Sequence, residues 1–216
     1  MKILKVQRLS SAKNMITHQH YLRAKAGCMD SATKLINDIL PDAKIKASII
    51  CPVIKQSGNK IPLAMAEKLS NQNPNTAVTR SMLLSNPKSM PLISGRIYSN
   101  PEFSGPVYQT TYCLVDDVYT TGKTLIALKK HIEKNGGNVT QVICLGSSKA
   151  TGFELTKHDV KTLQCKFPGI HNYFDLDLIT KPIARYMLRF SSLQALHLKA
   201  NKNIYSYLNE NGVPVA

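Results

Sequence analysis

The 216-residue sequence predicts an α/β fold: a doubly wound, mainly parallel sheet within residues 1–150, with a helical segment at its N-terminal side, and a helical annex over residues 151–216. Three observations predict it. Several short runs are apolar almost without interruption and rich in β-branched residues, as in strands covered on both faces. Between these runs lie stretches of helical periodicity, so strand and helix alternate as in βαβ units. Beyond Ala150 the strand-like runs stop and helical patterning takes over.

Cys28–Leu40, "CMDSATKLINDIL", sets Ala32, Leu35, Ile36, Ile39 and Leu40 on one helical face. Asp30 or Ser31 is the candidate cap and Pro41 the stop. "IKASIICPVI" reads as a doubly buried strand, and "IPLAMAEKLSNQ" as a helix with Pro62 in its first turn, where a missing N–H costs little. "NTAVTRSMLL" reads as one further strand. From Ser85 to Thr110 the periodicity is lost and prolines collect, the pattern of a functional or a disordered loop. "YCLVDDVY" is the central strand, "TLIALKKHIEKNGG" a helix with Leu125, Leu128 and Ile132 inward and Gly136 as its end, and "VTQVICLGSS" another buried strand. After Ala150, "LITKPIARYMLRFSSLQALHLKANKNIYSYLNENG" reads as helical, with Thr180 as the candidate cap.

Composition narrows the function classes. The longest uncharged apolar stretch, Ala47–Ile54, is far short of the roughly 20 residues a bilayer span needs. The first 14 residues interleave charges with apolar residues and lack the continuous core of a secretion signal, so a cytoplasmic location and no membrane partner are expected. Cys28, Cys51, Cys113, Cys144 and Cys165 form no CxxC pair, against a zinc ribbon or a disulfide framework. His18 and His20 read as a solvated pair. Formal charge is +15, with 11 basic and 3 acidic residues in the first 60. Such a field draws polyanions, whether nucleic acid or a phosphate-rich small molecule, or serves solubility alone.

Against that excess of base, "YCLVDDVYTTGKT" places Asp116 and Asp117 side by side at the carboxyl end of the central strand, where ligands of such sheets bind. Neighbouring strand residues face opposite ways, so at least one carboxylate must reach the crevice. The turn that follows runs through Gly122 into a helix, whose first N–H groups and dipole suit a phosphate, with Thr120, Thr121 and Thr124 adding hydroxyls. Acids beside a phosphate cradle make sense if the ligand also presents hydroxyls or brings Mg²⁺. A sugar phosphate does both. The ending "TTGKT" is not a Walker A loop, because that motif needs glycine where Asp117 stands.

The stretch "LVDDVYTTGKT" resembles the ribose-phosphate motif of the type I phosphoribosyltransferases, and is most similar to their competence-protein F (ComF-like) branch. The resemblance implies that Asp116 and Asp117 hold the ribose hydroxyls of phosphoribosyl pyrophosphate (PRPP), while Thr120, Thr121, Gly122, Lys123 and Thr124 enclose its 5-phosphate. "CPVIKQSGNKIPLAMA" occupies the place of the family's pyrophosphate loop, which implies diphosphate contacts from Lys55, Gly58, Asn59 and Lys60. Ser85–Thr110 sits where the family has a mobile lid, with Lys88, Arg96 and Tyr98 as candidates for charge stabilisation. The resemblance further implies Mg²⁺ carried by PRPP, with Asp116 as the carboxylate able to reach it, a nitrogenous base as acceptor, and a homodimer. The zinc-binding cysteine cluster common in the ComF-like branch is absent from these 216 residues. Two functions remain open at this stage: an Mg²⁺-dependent phosphoribosyl transfer, or a non-catalytic PRPP-binding regulator that uses its positive surface, with the basic and aromatic residues of "KPIARYMLRF", on DNA or RNA.

Overall fold

The computed structural model describes residues 6–9, 12–54, 58–80, 82–85, 93–147 and 154–210. The chain opens with strand β1 (Val6–Arg8) and three helices, α1 (Ala12–Ile16), α2 (Tyr21–Lys25) and α3 (Met29–Ile39). Strand β2 (Ile49–Pro52), helix α4 (Ile61–Gln72) and strands β3 (Ala77–Val78) and β4 (Met82–Ser85) follow. Then come α5 (Ile93–Tyr98), β5 (Glu102–Ser104), β6 (Thr111–Tyr119), α6 (Lys123–Lys134) and β7 (Asn138–Ser147). Helices α7 (Lys157–Lys166), α8 (Lys181–Met187) and α9 (Leu193–Glu210) complete it, with short 3₁₀ turns at Ile170–Asn172 and Leu176–Leu178.

Among the described residues the strands form a five-stranded sheet in the order β1-β7-β6-β2-β3, every pairing parallel, and a separate antiparallel pair β4-β5. The fold is therefore α/β with a mainly parallel sheet. Alternation along β6 sends Cys113 and Val115 to a core shared with Leu35 of α3 and Met65 of α4. Tyr112 and Leu114 go to the opposite face, against Leu125 and Leu128 of α6. Covered on both sides, β6 is buried from Tyr112 to Asp117, which explains its unbroken apolar run.

The structure alters four expectations. Cys28, not Asp30 or Ser31, is the N-cap of α3. The run at 75–84 is not one strand: β3 joins the main sheet, and β4 turns away to pair with β5. The stretch at 85–110 holds helix α5 and strand β5 rather than loop throughout. Lastly, the helical pattern near the C-terminus is broken between α8 and α9, and α7 stands before it behind a capping box of Thr156 and Asp159. A third apolar cluster joins Leu163, Phe167, Ile183, Met187 and Leu196 at these helices to Ile97 of α5, so α5 packs with the C-terminal helices.

Candidate functional site

The pairing of β2 with β6 runs to Pro52↔Val115, so the next two residues, Asp116 and Asp117, lie at the carboxyl end of a central strand. The chain then turns through Gly122, which is left-handed at φ 74° and serves as N-cap of α6 without a side-chain cap. A left-handed residue costs an L side chain about 1–2 kcal/mol, which is why glycine stands there. The first amides of α6 have no intrahelical carbonyl to bond, and no acidic residue lies in that first turn. Acid pair, turn and helix start all line one cleft of about 170 Å³, together with Lys25, Arg96, Ser99 and Pro101.

Both aspartates are buried, Asp116 8% and Asp117 5% exposed, and both line the cleft. The Asp117 N–H donates to Asp116 Oδ1 at 2.9 Å, and the Val118 N–H to Asp117 Oδ1 at 2.8 Å. Asp117 Oδ2 accepts from the Lys25 ammonium and, at 3.2 Å, from Asn59 Nδ2. Burial pushes the Asp117 carboxyl up, but the Lys25 ammonium beside it and these hydrogen bonds outweigh burial and hold it below the usual carboxylate range. For Lys25, burial pulls the ammonium down, and the Asp117 carboxylate more than restores it.

The remaining sequence candidates divide. Arg96 reaches across from α5 to donate to Thr120 Oγ1; burial lowers its guanidinium, and the Asp116 carboxylate opposes that shift. Thr121 is buried, its carbonyl accepting from the Thr180 hydroxyl, so Thr180 stands at the N-cap of α8 as expected but spends its side chain on tying the turn to that helix. Thr124 lines the cleft. Gly58 packs against the α2–α3 turn, Asn59 holds Asp117, and the Lys60 N–H donates to Ala24 O at 3.2 Å. Tyr98 points elsewhere, its hydroxyl hydrogen-bonded to His197 Nδ1 at 2.9 Å and its ring beside Phe174. Lys55 and Lys88 lie outside the described residues. Sequence reasoning missed Lys25, and the bond of Thr180 to the turn, because neither belongs to a motif and each finds its partner only in the fold.

Lys123 lines the cleft, yet its ammonium is turned onto the Ile97 carbonyl at 2.6 Å, fastening the start of α6 to α5. Burial lowers it to about 8 from an ordinary 10.5, against a weaker opposing pull from Asp175. Between those two values the unfolded chain binds the extra proton, so stability from this group rises with pH across that window. Lys123→Met removes the charge and keeps the stem. The stability of the natural chain relative to Lys123→Met is expected to rise between pH 8 and pH 10.5 in urea denaturation. A gap that stays constant with pH would contradict the assignment.

Among the described residues no group of three His, Cys, Asp or Glu side chains is placed to hold a metal. His18 instead pairs with Asp38 at 3.1 Å. The donor set suits Mg²⁺ carried in by a diphosphate, which needs only one or two protein carboxylates. Asp116 and Asp117, which both line the cleft, would be the carboxylates within its reach. No helix among the described residues is long and apolar enough to cross a membrane.

No protein-family profile matches the chain. A 53-residue segment is 43% identical to a hypoxanthine/guanine phosphoribosyltransferase of Methanococcus voltae, covering 23% of this chain and 28% of that protein. The corresponding protein of Methanothermococcus okinawensis is 42% identical over 53 residues, 23% of this chain and 29% of that one. Protein TraN of Escherichia coli is 30% identical over 152 residues, 62% of this chain and 33% of its own length. The chain thus spans a third or less of each of these curated relatives. Among solved structures, a purine phosphoribosyltransferase from Pyrococcus horikoshii is similar with a TM-score of 0.35 at 18% identity, over 68% of this chain and 83% of that one. A hypothetical protein from Neisseria gonorrhoeae with bound ppGpp is similar with a TM-score of 0.34 at 14% identity, over 72% of this chain and 80% of that one. The chain carries a segment similar in sequence to purine phosphoribosyltransferases, on an α/β fold that its own strand order defines.

Proposed function

We propose that the chain is a type I phosphoribosyltransferase, its motif nearest to the ComF-like branch, which transfers the 5-phosphoribosyl group of PRPP to a nitrogenous acceptor and releases pyrophosphate. One observation carries this reading: two buried carboxylates and an uncapped helix start, joined by a left-handed glycine, share a single cleft. Carboxylates accept hydrogen bonds from hydroxyls and free amide N–H groups donate to phosphate oxygens, and a 5-phosphorylated ribose offers both partners.

In this reading Asp116 and Asp117 orient the ribose through its hydroxyls, and the amides and hydroxyls of Thr120–Thr124 hold the 5-phosphate. Arg96, bonded to Thr120 and close to Asp116, faces the charge that moves onto the departing pyrophosphate. The bond between C1 and the pyrophosphate oxygen breaks, and the acceptor nitrogen forms the new bond at C1 and loses its proton. Mg²⁺ arriving with PRPP supplies further neutralisation of the diphosphate. A homodimer in the cytoplasm belongs to the same reading. The test is pyrophosphate release from PRPP with purine and pyrimidine bases offered one at a time, and at least one is expected to stimulate it. Stimulation by none, with tight and steeply salt-dependent nucleic-acid binding, would favour the regulator.

A further inference from the structure

Lys25 belongs to no motif, yet it sits at the centre of the cleft's charge balance. Its ammonium bonds Asp117, lines the cleft with its side chain 34% exposed, and lies 5.9 Å from the Tyr21 ring centre. The position is built by backbone. Gly27 and Gly58 are both left-handed, at φ 108° and 91°, and a Cβ on either would stand 3.2 Å from a carbonyl oxygen of the other's segment. With the Lys60 N–H on Ala24 O, these contacts clamp the end of α2 onto the turn before α4.

Hydrogen-bond capacity says what the lysine can do there. A carboxylate has about four acceptor sites, and the Asp117 carboxylate is held by Lys25, Asn59 and the Val118 N–H, with the Asp116 side chain beside it. The ammonium has three donors and gives one to Asp117, so two remain for an anion. A bare acid pair would repel the phosphates of its own ligand; a lysine bound to one acid reverses that repulsion.

We propose that Lys25 is a ligand-binding residue whose ammonium bridges Asp117 and a diphosphate oxygen of PRPP, filling the bridging position that otherwise calls for a divalent cation. The chain therefore binds PRPP without metal. This inference rests on the ribose-phosphate reading above. The test is calorimetric titration of the full chain with PRPP, once in Mg²⁺ and once in EDTA. The natural chain is expected to bind in EDTA within about tenfold of its affinity in Mg²⁺, the size of one charge-assisted contact. Lys25→Met is expected to lose about tenfold or more in EDTA and to recover most of it in Mg²⁺, whereas Lys25→Arg keeps metal-free binding. Lys25→Met binding within about threefold of the natural chain in EDTA would overturn the proposal, since that is less than the contact is worth. So would a natural chain that binds PRPP only with Mg²⁺, an outcome that needs no variant. A natural chain that binds PRPP in neither buffer would defeat the ribose-phosphate reading itself, and this inference with it.

Discussion

Replacing Asp116 and Asp117 together by asparagine is expected to weaken PRPP binding by about a hundredfold or more while the chain stays folded. Each carboxylate makes charge-assisted contacts to ribose hydroxyls worth about 1.5–3 kcal/mol. Two such losses sum to about 3–6 kcal/mol, less any coupling between neighbours. Asparagine keeps a carbonyl oxygen for the Asp117 N–H at the first position and for Lys25 at the second, so the local frame has partners. Lys25 is a third exposed and can rehydrate if its bond weakens, which limits the cost to the fold. Calorimetry with PRPP reads the binding, and urea denaturation reads the fold. Unaltered affinity in a folded double variant would remove the acid pair from the site.

Gly58→Ala is the second large effect expected. The new Cβ would lie 3.2 Å from the Ala26 carbonyl oxygen, a backbone atom that cannot step aside as a side-chain end would. The φ of 91° adds the ordinary penalty for an L residue in the left-handed region. Together these predict a loss of about 1–3 kcal/mol, as for other overpacked sites, or several degrees in melting temperature for a chain this long. The same shift pulls Asn59 from Asp117 and moves the end of α2 that carries Lys25, so PRPP affinity falls as well. Gly27→Ala meets Gly58 O across the same contact, and the double variant is expected to cost less than the sum of the two. Unchanged stability and affinity in Gly58→Ala would mean that the α2 clamp does not support the site.

What local sequence could reveal was the strand, the turn and their chemistry. A run covered on both faces shows in its residues, as β6 does, and a left-handed turn before a helix calls for glycine, as at Gly122. The capping box of Thr156 and Asp159 that starts α7 is equally local. Elements decided by distant packing were not legible. Helix α5, "ISGRIY", is six residues long with a central glycine, and is helical because Ile97 docks among the C-terminal helices. Strand β4 leaves the line of β3 because β5 offers it a partner some 20 residues on. Lys25 was hidden for the same reason, its carboxylate being 92 residues away, as was the bond of Thr180 to a turn 59 residues away.

The most direct test of the central claim is a crystal structure of the full chain with PRPP bound. The 5-phosphate is expected within hydrogen-bond distance of the amides at the start of α6, the ribose hydroxyls on Asp116 and Asp117, and the diphosphate beside Lys25. A ligand bound away from this cleft, or a phosphate that the amides around Gly122 do not touch, would contradict it.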